Sequence, residues 1–411
     1  MPNSLIVSHC ISTAQHRTMH KGAFLLVSLL LVASLGYAQS VEVLHAFHGG
    51  RGGSSPNGLI LGSKERLIGT AGGGPGCKPV SCGIIYELNS KGEEFLLHGF
   101  TGTDGSTPNH LVPDGTGGLY GVTYTGDAYG CGNVFHLNSS GFQVLYTFKN
   151  NPDGCMGDNL IMGSDGNLYG TTYIGGSNSG TVFKLDPSGH EAVLYAFTGG
   201  TDGLLPGSSL IEAGGSLYGT TYAGGTGCLG NPGCGVVYQI DQGGKETVLY
   251  SFTDTDGDGE TPNSLLRDST GNLIGSTSLG GNSACEAGCG TLFELTKGSS
   301  GWSENVIYHF TGGADGSHPN GLVSEKGNFY GATSDGTSGG CSGTACGTIF
   351  KVDATGKFAT LYTFTNQADG EDPVLSFVKT GTFVGTTFYG GDFKCPDNYG
   401  YGCGTVFAFT P

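Results

Sequence analysis

Leu168-Tyr169-Gly170-Thr171-Thr172-Tyr173 decides the fold, because it recurs. Variants occupy 67–72, 119–124, 217–222, 273–278, 329–334 and 383–388, seven copies in all, 49 to 56 residues apart. Such self-similarity marks a repeat architecture, in which each unit buries its apolar face against its neighbours. A second apolar run follows each copy, at 83–88, 132–137, 180–185, 235–240, 290–295, 347–352 and 404–409. A third, of the type Val-Leu-Tyr-x-Phe, follows at 95–100, 144–148, 193–197, 248–252, 306–310 and 360–364. A short Leu-Ile-like segment precedes each copy, as in Leu160-Ile161 and Leu210-Ile211. Each repeat therefore predicts four short strands, a, b, c and d.

The a–b turns carry Gly or Asn, as in Ser164-Asp165-Gly166-Asn167, and the c–d turns carry motifs such as Asp186-Pro187-Ser188-Gly189. Both are hairpin chemistry, since Gly and Asn tolerate positive φ. In strand d, Val193, Tyr195 and Phe197 face one way and Leu194 and Ala196 the other. A sheet apolar on both sides must be covered on both sides, as in radially packed propeller blades. Closure supports a ring. Val43-Leu44-His45-Ala46-Phe47 is a d-type strand with no a, b or c before it, and the last repeat reaches Pro411 without a d. The expectation is an all-β, seven-bladed β-propeller of four-stranded blades over 39–411, closed by the N-terminal strand joining the last blade. A β-helix is the alternative architecture, but its coils are usually shorter than these repeats.

Glycine makes up 80 of the 411 residues and charged residues 12%. Disordered chains lack the aromatic and β-branched runs seen here, so the glycines read as turn residues. Residues 1–38 predict a signal peptide: Arg17, His20 and Lys21 precede the apolar stretch Ala23 to Leu35, which ends in Gly36-Tyr37-Ala38. Met19 is an alternative start. The apolar stretch is short for a membrane span, and no second one follows. Without Arg17 and Lys21, 15 basic residues face 34 acidic ones, a formal charge of −19. Such a surface repels phosphate backbones, so nucleic acid is not an expected partner. The expected state is a secreted or periplasmic monomer without a membrane span.

Cys10 falls in the targeting segment, which leaves twelve cysteines. Ten form close pairs: Cys77/Cys82, Cys228/Cys234, Cys285/Cys289, Cys341/Cys346 and Cys395/Cys403. Cys131 and Cys155 remain. In an up-and-down blade the b–c and d–a loops share one face, and all twelve fall there, so Cys131 and Cys155 can pair. An exported chain with even cysteines reads as a disulfide framework. Zinc is disfavoured by the varied spacings and the lack of Cys-x-x-Cys.

Three motifs together resemble the GloVer-type tandem repeats of bacterial exported proteins. They are Leu168-Tyr169-Gly170-Thr171-Thr172-Tyr173-x-Gly175-Gly176, then Gly180-Thr181-Val182-Phe183, then Leu194-Tyr195-x-Phe197-Thr198-Gly199-Gly200-x-Asp202-Gly203. The resemblance covers essentially all of 41–411. Members of that family often end in a cell-surface sorting signal, whereas this chain ends in a propeller strand, which implies free export. The resemblance implies no established activity and no catalytic residues.

Candidate chemistry lies on the loop-rich face. The d–a loops repeat Asp-Gly at Asp104, Asp153, Asp202, Asp256, Asp315 and Asp369, with Gly52-Gly53 in the first copy. These carboxylates either ring one mouth, where a pair could serve glycoside cleavage, or close Asx-type turns on their own backbone. Recurrence in six repeats favours the turn. Asp254-Thr255-Asp256-Gly257-Asp258-Gly259 matches the first half of a calcium loop, with Leu265 where the usual Glu would stand. Calcium is the one cofactor the sequence suggests. Strand b ends in an aromatic at Tyr124, Tyr173, Tyr222 and Phe388, and Tyr389, Phe393, Tyr399 and Tyr401 add more nearby. Such rings beside carboxylates can stack sugars or bind a protein, or simply pack beneath the loops. Gly336-Thr337-Ser338-Gly339-Gly340 fits G-x-S-x-G but lies in a hairpin loop and reads as chance. The expectation is a non-enzymatic scaffold for a glycan or protein on the b–c/d–a face. A carbohydrate-active hydrolase or lyase using paired Asp, and a structural matrix protein, are the alternatives.

Overall fold

The computed structural model describes residues 39–74, 82–207, 210–228, 233–253, 255, 257–336, 346–353, 355–365, 367–379, 381–396 and 401–411. The expected signal peptide lies outside the described residues, as do Cys77, Cys341, Asp254, Asp256, Tyr399 and Ser338. Seven antiparallel sheets account for the rest. Blade 1 comprises Ser54–Leu61, Leu67–Gly72, Ile84–Leu88 and Glu94–Gly99. Blade 2 comprises Ser106–Pro113, Leu119–Thr125, Asn133–Asn138 and Gly141–Thr147. Blade 3 comprises Cys155–Met162, Leu168–Ile174, Thr181–Leu185 and Glu191–Ala196. In blade 4 strand a is split into Leu204–Pro206 and Ile211–Ala213, both paired with Ser216–Ala223, and Val236–Ile240 and Glu246–Ser251 follow. Blade 5 comprises Gly259–Arg267, Leu273–Gly280, Thr291–Gly298 and Gly301–His309. Blade 6 comprises Ser317–Glu325, Asn328–Asp335, Thr348–Val352 and Phe358–Thr363. Blade 7 takes Glu371–Lys379, Thr382–Tyr389 and Thr405–Thr410 from the C-terminal end. Its fourth strand is Ser40–Ala46, with Ser40 opposite Thr410 and Val43 opposite Phe407. The ring is thus closed by the strand the sequence left over.

Two repeated contacts hold adjacent blades together. The Phe that ends each d strand is fully buried and meets the central aromatic of strand c in the next blade, edge to face. The pairs are Phe47–Tyr86, Phe100–Phe135, Phe148–Phe183, Phe197–Tyr238, Phe252–Phe293, Phe310–Phe350 and Phe364–Phe407, with centroids 5.0 to 5.5 Å apart. Such pairs add to area burial. They also explain the glycine in Leu-Tyr-Gly. A Cβ on Gly170 would lie 2.5 Å from Phe183 Cζ, so only glycine lets strand c seat its ring.

The second contact is a ring of backbone hydrogen bonds. The second residue or so of strand a donates its N–H to a carbonyl of the preceding b–c loop. Ser55, Thr107, Met156, Thr261, His318 and Asp372 donate to Cys403, Cys82, Cys131, Cys234, Cys289 and Cys346, and Leu205 donates to Ser179. All seven donors sit at positive φ, between 49° and 63°. Six of the seven accepting carbonyls belong to cysteines, so the disulfides fix the loops on which neighbouring blades dock. Cys131–Cys155, Cys228–Cys234, Cys285–Cys289 and Cys395–Cys403 are bonded as the sequence suggested. Cys82 and Cys346 are also disulfide-bonded, and their expected partners lie outside the described residues.

Candidate functional site

Strand a of five blades places a polar residue in its apolar pattern where it faces the central cavity. Asn57, Asn109, Asp158, Asn263 and Asn320 all face a cavity of about 550 Å³. The first three form a one-way chain. Asn57 donates its side-chain amide to Asn109 Oδ1 at 2.8 Å, and Asn109 donates to Asp158 Oδ1 at 2.9 Å. Elsewhere the ring is held differently: Asn263 donates to the Pro319 carbonyl at 2.7 Å, and Asn320 to Ser334 Oγ at 3.0 Å. Burial raises the Asp158 carboxyl to about 7, against the opposing pull of the Asn109 bond. Burial lowers His110, on the same cavity wall, to about 4.

Three of the aromatics singled out in the sequence form one chain of ring contacts on the b–c/d–a face, and Tyr222 at its end lines this cavity. Tyr124, Tyr173 and Tyr222 come from strand b of consecutive blades. Centroids are 6.3 Å apart for Tyr124–Tyr173 and 5.9 Å for Tyr173–Tyr222. Burial raises all three phenols, and the Asp158 charge adds to the rise in each. Blade 4 has Gly207 at the cavity wall. A Cβ there would lie 2.7 Å from Tyr222 Cε2 and 3.1 Å from Asp158 Oδ2, so the missing side chain lets ring and carboxylate share one spot. Phe388 does not join this arc; it is 40% exposed and meets Tyr389, which in turn meets Tyr401. Phe393 is also exposed.

A polar cluster sits where blade 6 meets blade 7. His318 Nδ1 is 2.7 Å from Asp335 Oδ2. Burial raises the Asp372 carboxyl most, a Ser334 hydrogen bond and His318 oppose the rise, and the Asp335 charge adds to it.

The Asp-Gly carboxylates lie at the outer seams between blades, away from the cavity. Asp104, Asp153, Asp202, Asp315 and Asp369 each bind the d strand that precedes them. Tyr195 donates its hydroxyl to Asp202 Oδ2 at 3.0 Å, and the Thr198 N–H does so at 2.8 Å. Tyr146, Tyr308 and Tyr362 do the same for Asp153, Asp315 and Asp369, and His98 for Asp104. In blade 4's turn the position is held by Asp258 rather than Asp256: Tyr250, the Thr253 N–H and the Thr253 hydroxyl all donate to its Oδ2. The other two residues of the suggested calcium loop lie outside the described residues. Among the described residues no three His, Cys, Asp or Glu side chains are grouped to hold a metal ion. The turn that follows the d strand of blade 7 has no Asp, and that strand carries His45, 3.2 Å from Glu94.

Sequence reasoning found the tyrosine arc but missed Asp158 and the asparagines. Their signal was Pro-Asn at 56–57, 108–109, 262–263 and 319–320, a polar residue recurring in strands otherwise read as core. Such a residue must find a partner or a cavity.

The family description that fits the chain is the Gloeobacter/Verrucomicrobia repeat, matched over residues 32–232 and 229–411. No curated protein matches. Among solved structures, the extracellular domain of a B. thetaiotaomicron protein classed as a hybrid two component system is similar. It has a TM-score of 0.57 at 12% identity, over 91% of this chain and 41% of that one. The extracellular domain of a B. thetaiotaomicron one component system gives 0.52 at 13% identity, over 87% of this chain and 39% of that one. The chain therefore spans about two fifths of the length of these structures, and the likeness is one of fold. Among the described residues no helix is long and apolar enough to cross a membrane.

Proposed function

The chain belongs to the Gloeobacter/Verrucomicrobia repeat family, and from that premise we propose that it is an exported, non-enzymatic binding scaffold whose ligand enters the cavity mouth on the b–c/d–a face. The observation that carries this reading is the tyrosine arc 124–173–222 standing over Asp158. Aromatic rings that converge with a polar group at a concave site are the usual makings of a recognition pocket. The extracellular setting of the two similar propellers and the disulfide bonds on the same face support export. The ligand is a glycan or an exposed segment of a protein.

A second reading has its own observation. His318 with Asp335, near a partly buried Asp372, is the kind of acid and base pair a carbohydrate-active hydrolase or lyase requires. One experiment separates the two. The purified protein is offered to glycan and peptide arrays, with calcium and with EDTA, beside Tyr124→Ala, Tyr173→Ala, Tyr222→Ala and Asp372→Asn variants. Saturable binding that the tyrosine variants weaken by tenfold or more, and that Asp372→Asn spares, is the expected result. Turnover of a bound glycan that Asp372→Asn abolishes would replace the scaffold reading with the enzymatic one. Binding that only EDTA removes would move the site to the acidic loop of blades 4 and 5.

A further inference from the structure

The cavity carries hydrogen-bond acceptors without donors to match them. Asp158 accepts a hydrogen bond from Asn109 at Oδ1. Asn159 lines the same cavity at 4% exposure, and its Oδ1 is buried without a partner. Asn320 Oδ1, farther round the ring, is in the same condition. Buried polar atoms are seldom left unpaired, and unpaired acceptors beside a carboxylate suit a guest that brings donors. No Lys or Arg lines it among the described residues, and the chain as a whole carries a formal charge of −17.

The aromatic wall narrows the guest further. The Tyr124 and Tyr173 planes are inclined by 50° and those of Tyr173 and Tyr222 by 70°. They make a curved wall rather than the flat platform on which a sugar ring stacks. A compact cation beside such a wall gains from the ring quadrupoles, and beside a carboxylate it gains a charge-assisted hydrogen bond. The Tyr222 edge and Asp158 Oδ2 both approach Gly207, which places the ring and the carboxylate side by side.

We propose that the mouth binds an organic ammonium group, seated between Asp158 and the wall formed by Tyr124, Tyr173 and Tyr222. This rests on the scaffold reading and names the chemistry of its ligand. An amino sugar and an amine-bearing side chain are two sources of that one chemistry. The groups that face Asp158 are the three tyrosines and the asparagines, with His110 on the same cavity wall and kept neutral by burial. An ammonium selects the ionised carboxylate, which in the free protein is protonated below about pH 7.

The test is calorimetric titration of the purified protein at pH 8 and pH 6 with butylammonium, 2-aminoethyl glucoside and methyl glucoside. Both amines should bind, more weakly at pH 6, and methyl glucoside should not. Asp158→Asn, which removes the charge but keeps the shape, should weaken both amines at least about tenfold. It should unfold no earlier than the parent, because it deletes a buried acid. A tighter aminoethyl glucoside would assign the ammonium to an amine carried by a sugar, and equal affinities to any small amine. Methyl glucoside binding as well as its amino counterpart, no amine binding, or an unchanged Asp158→Asn would overturn the proposal. Array binding that the tyrosine variants still abolish would then leave the scaffold reading standing.

Discussion

The same substitution has opposite signs at two tyrosines of this ring, and the difference lies in one hydroxyl. Tyr86 and Tyr238 occupy the strand c position filled by Phe in the other five blades, and both hydroxyls are buried without a partner. Burial pushes both phenols far up. Removing an unpaired buried hydroxyl relieves a desolvation cost, so Tyr86→Phe should stabilise by about 1 kcal/mol. Tyr195, in strand d, donates to Asp202, whose carboxylate its donors hold below its ordinary value against the opposing effect of burial. Tyr195→Phe should destabilise by about 1.5–3 kcal/mol, the range for a hydrogen bond to a charged group. Urea midpoints of the two variants, read against the parent, check both signs. This contrast could not be read from the sequence, where Tyr86 and Tyr195 are both aromatics inside apolar runs. What separates them is the partner that the next turn supplies. The tyrosine arc was legible because strand period and repeat register put three like residues at one rim. Asp158 was not, because a lone carboxylate in a strand gives no pattern until the neighbouring asparagines are seen to face the same axis.

At the scale of elements, the strand order and blade boundaries were open to sequence because each repeat restates them. The blade junctions were only half visible. The cysteines could be placed on the b–c/d–a face, but not their second task. Each of six cysteine carbonyls accepts the N–H of a left-handed residue opening the next blade, from Thr107 on Cys82 to Asp372 on Cys346. Positive φ at Met156 or Leu205 follows from no local preference; it is imposed by that junction. The disulfides thus contribute through chain entropy and through the loops that blades dock on. The entropic part depends on loop length. Cys131–Cys155 spans a separation of 24 residues and Cys285–Cys289 one of 4. The loop formula makes the longer bond worth about 1.5 kcal/mol more. Replacing both members of each pair by Ser should therefore lower the thermal midpoint further for Cys131/Cys155 than for Cys285/Cys289. Equal losses would assign the stabilisation to the junction carbonyls instead.

The ring as a whole collects carboxyls whose protons folding holds on to. At three outer seams a Glu near the start of strand d of one blade faces the Asp turn of the blade before. Glu191 meets Asp153, Glu246 meets Asp202, and Glu304 meets Asp258. Burial, then the charge of that Asp, raises each Glu to about 7 from an ordinary 4.5. One oxygen of each Glu is buried without a partner. Asp158 at the axis is raised to about 7 as well. Between pH 4.5 and 7 the folded protein keeps protons that the unfolded chain has already released. Stability contributed by these groups is therefore fully present below about 4.5 and is lost as pH rises to 7. Turn carboxylates act in the other direction: hydrogen bonds from His136 and the Thr116 and Gly118 amides, against some burial, lower Asp114 to about 2, and its stability is lost only as pH falls below 3.8. The two opposing sets place the optimum between about pH 4 and 5, on the acid side of neutrality. The seam glutamates are partly exposed, so solvent screening makes the slope shallower than their shifts alone imply. Urea midpoints at steps from pH 4 to 8 should fall steadily toward neutrality and level off above 7. A triple Glu191→Gln, Glu246→Gln, Glu304→Gln protein should lose most of that slope, because an amide keeps the seam neutral at every pH. A midpoint that rises from pH 5 to 7 would mean that these carboxyls ionise in the folded ring as readily as in the open chain.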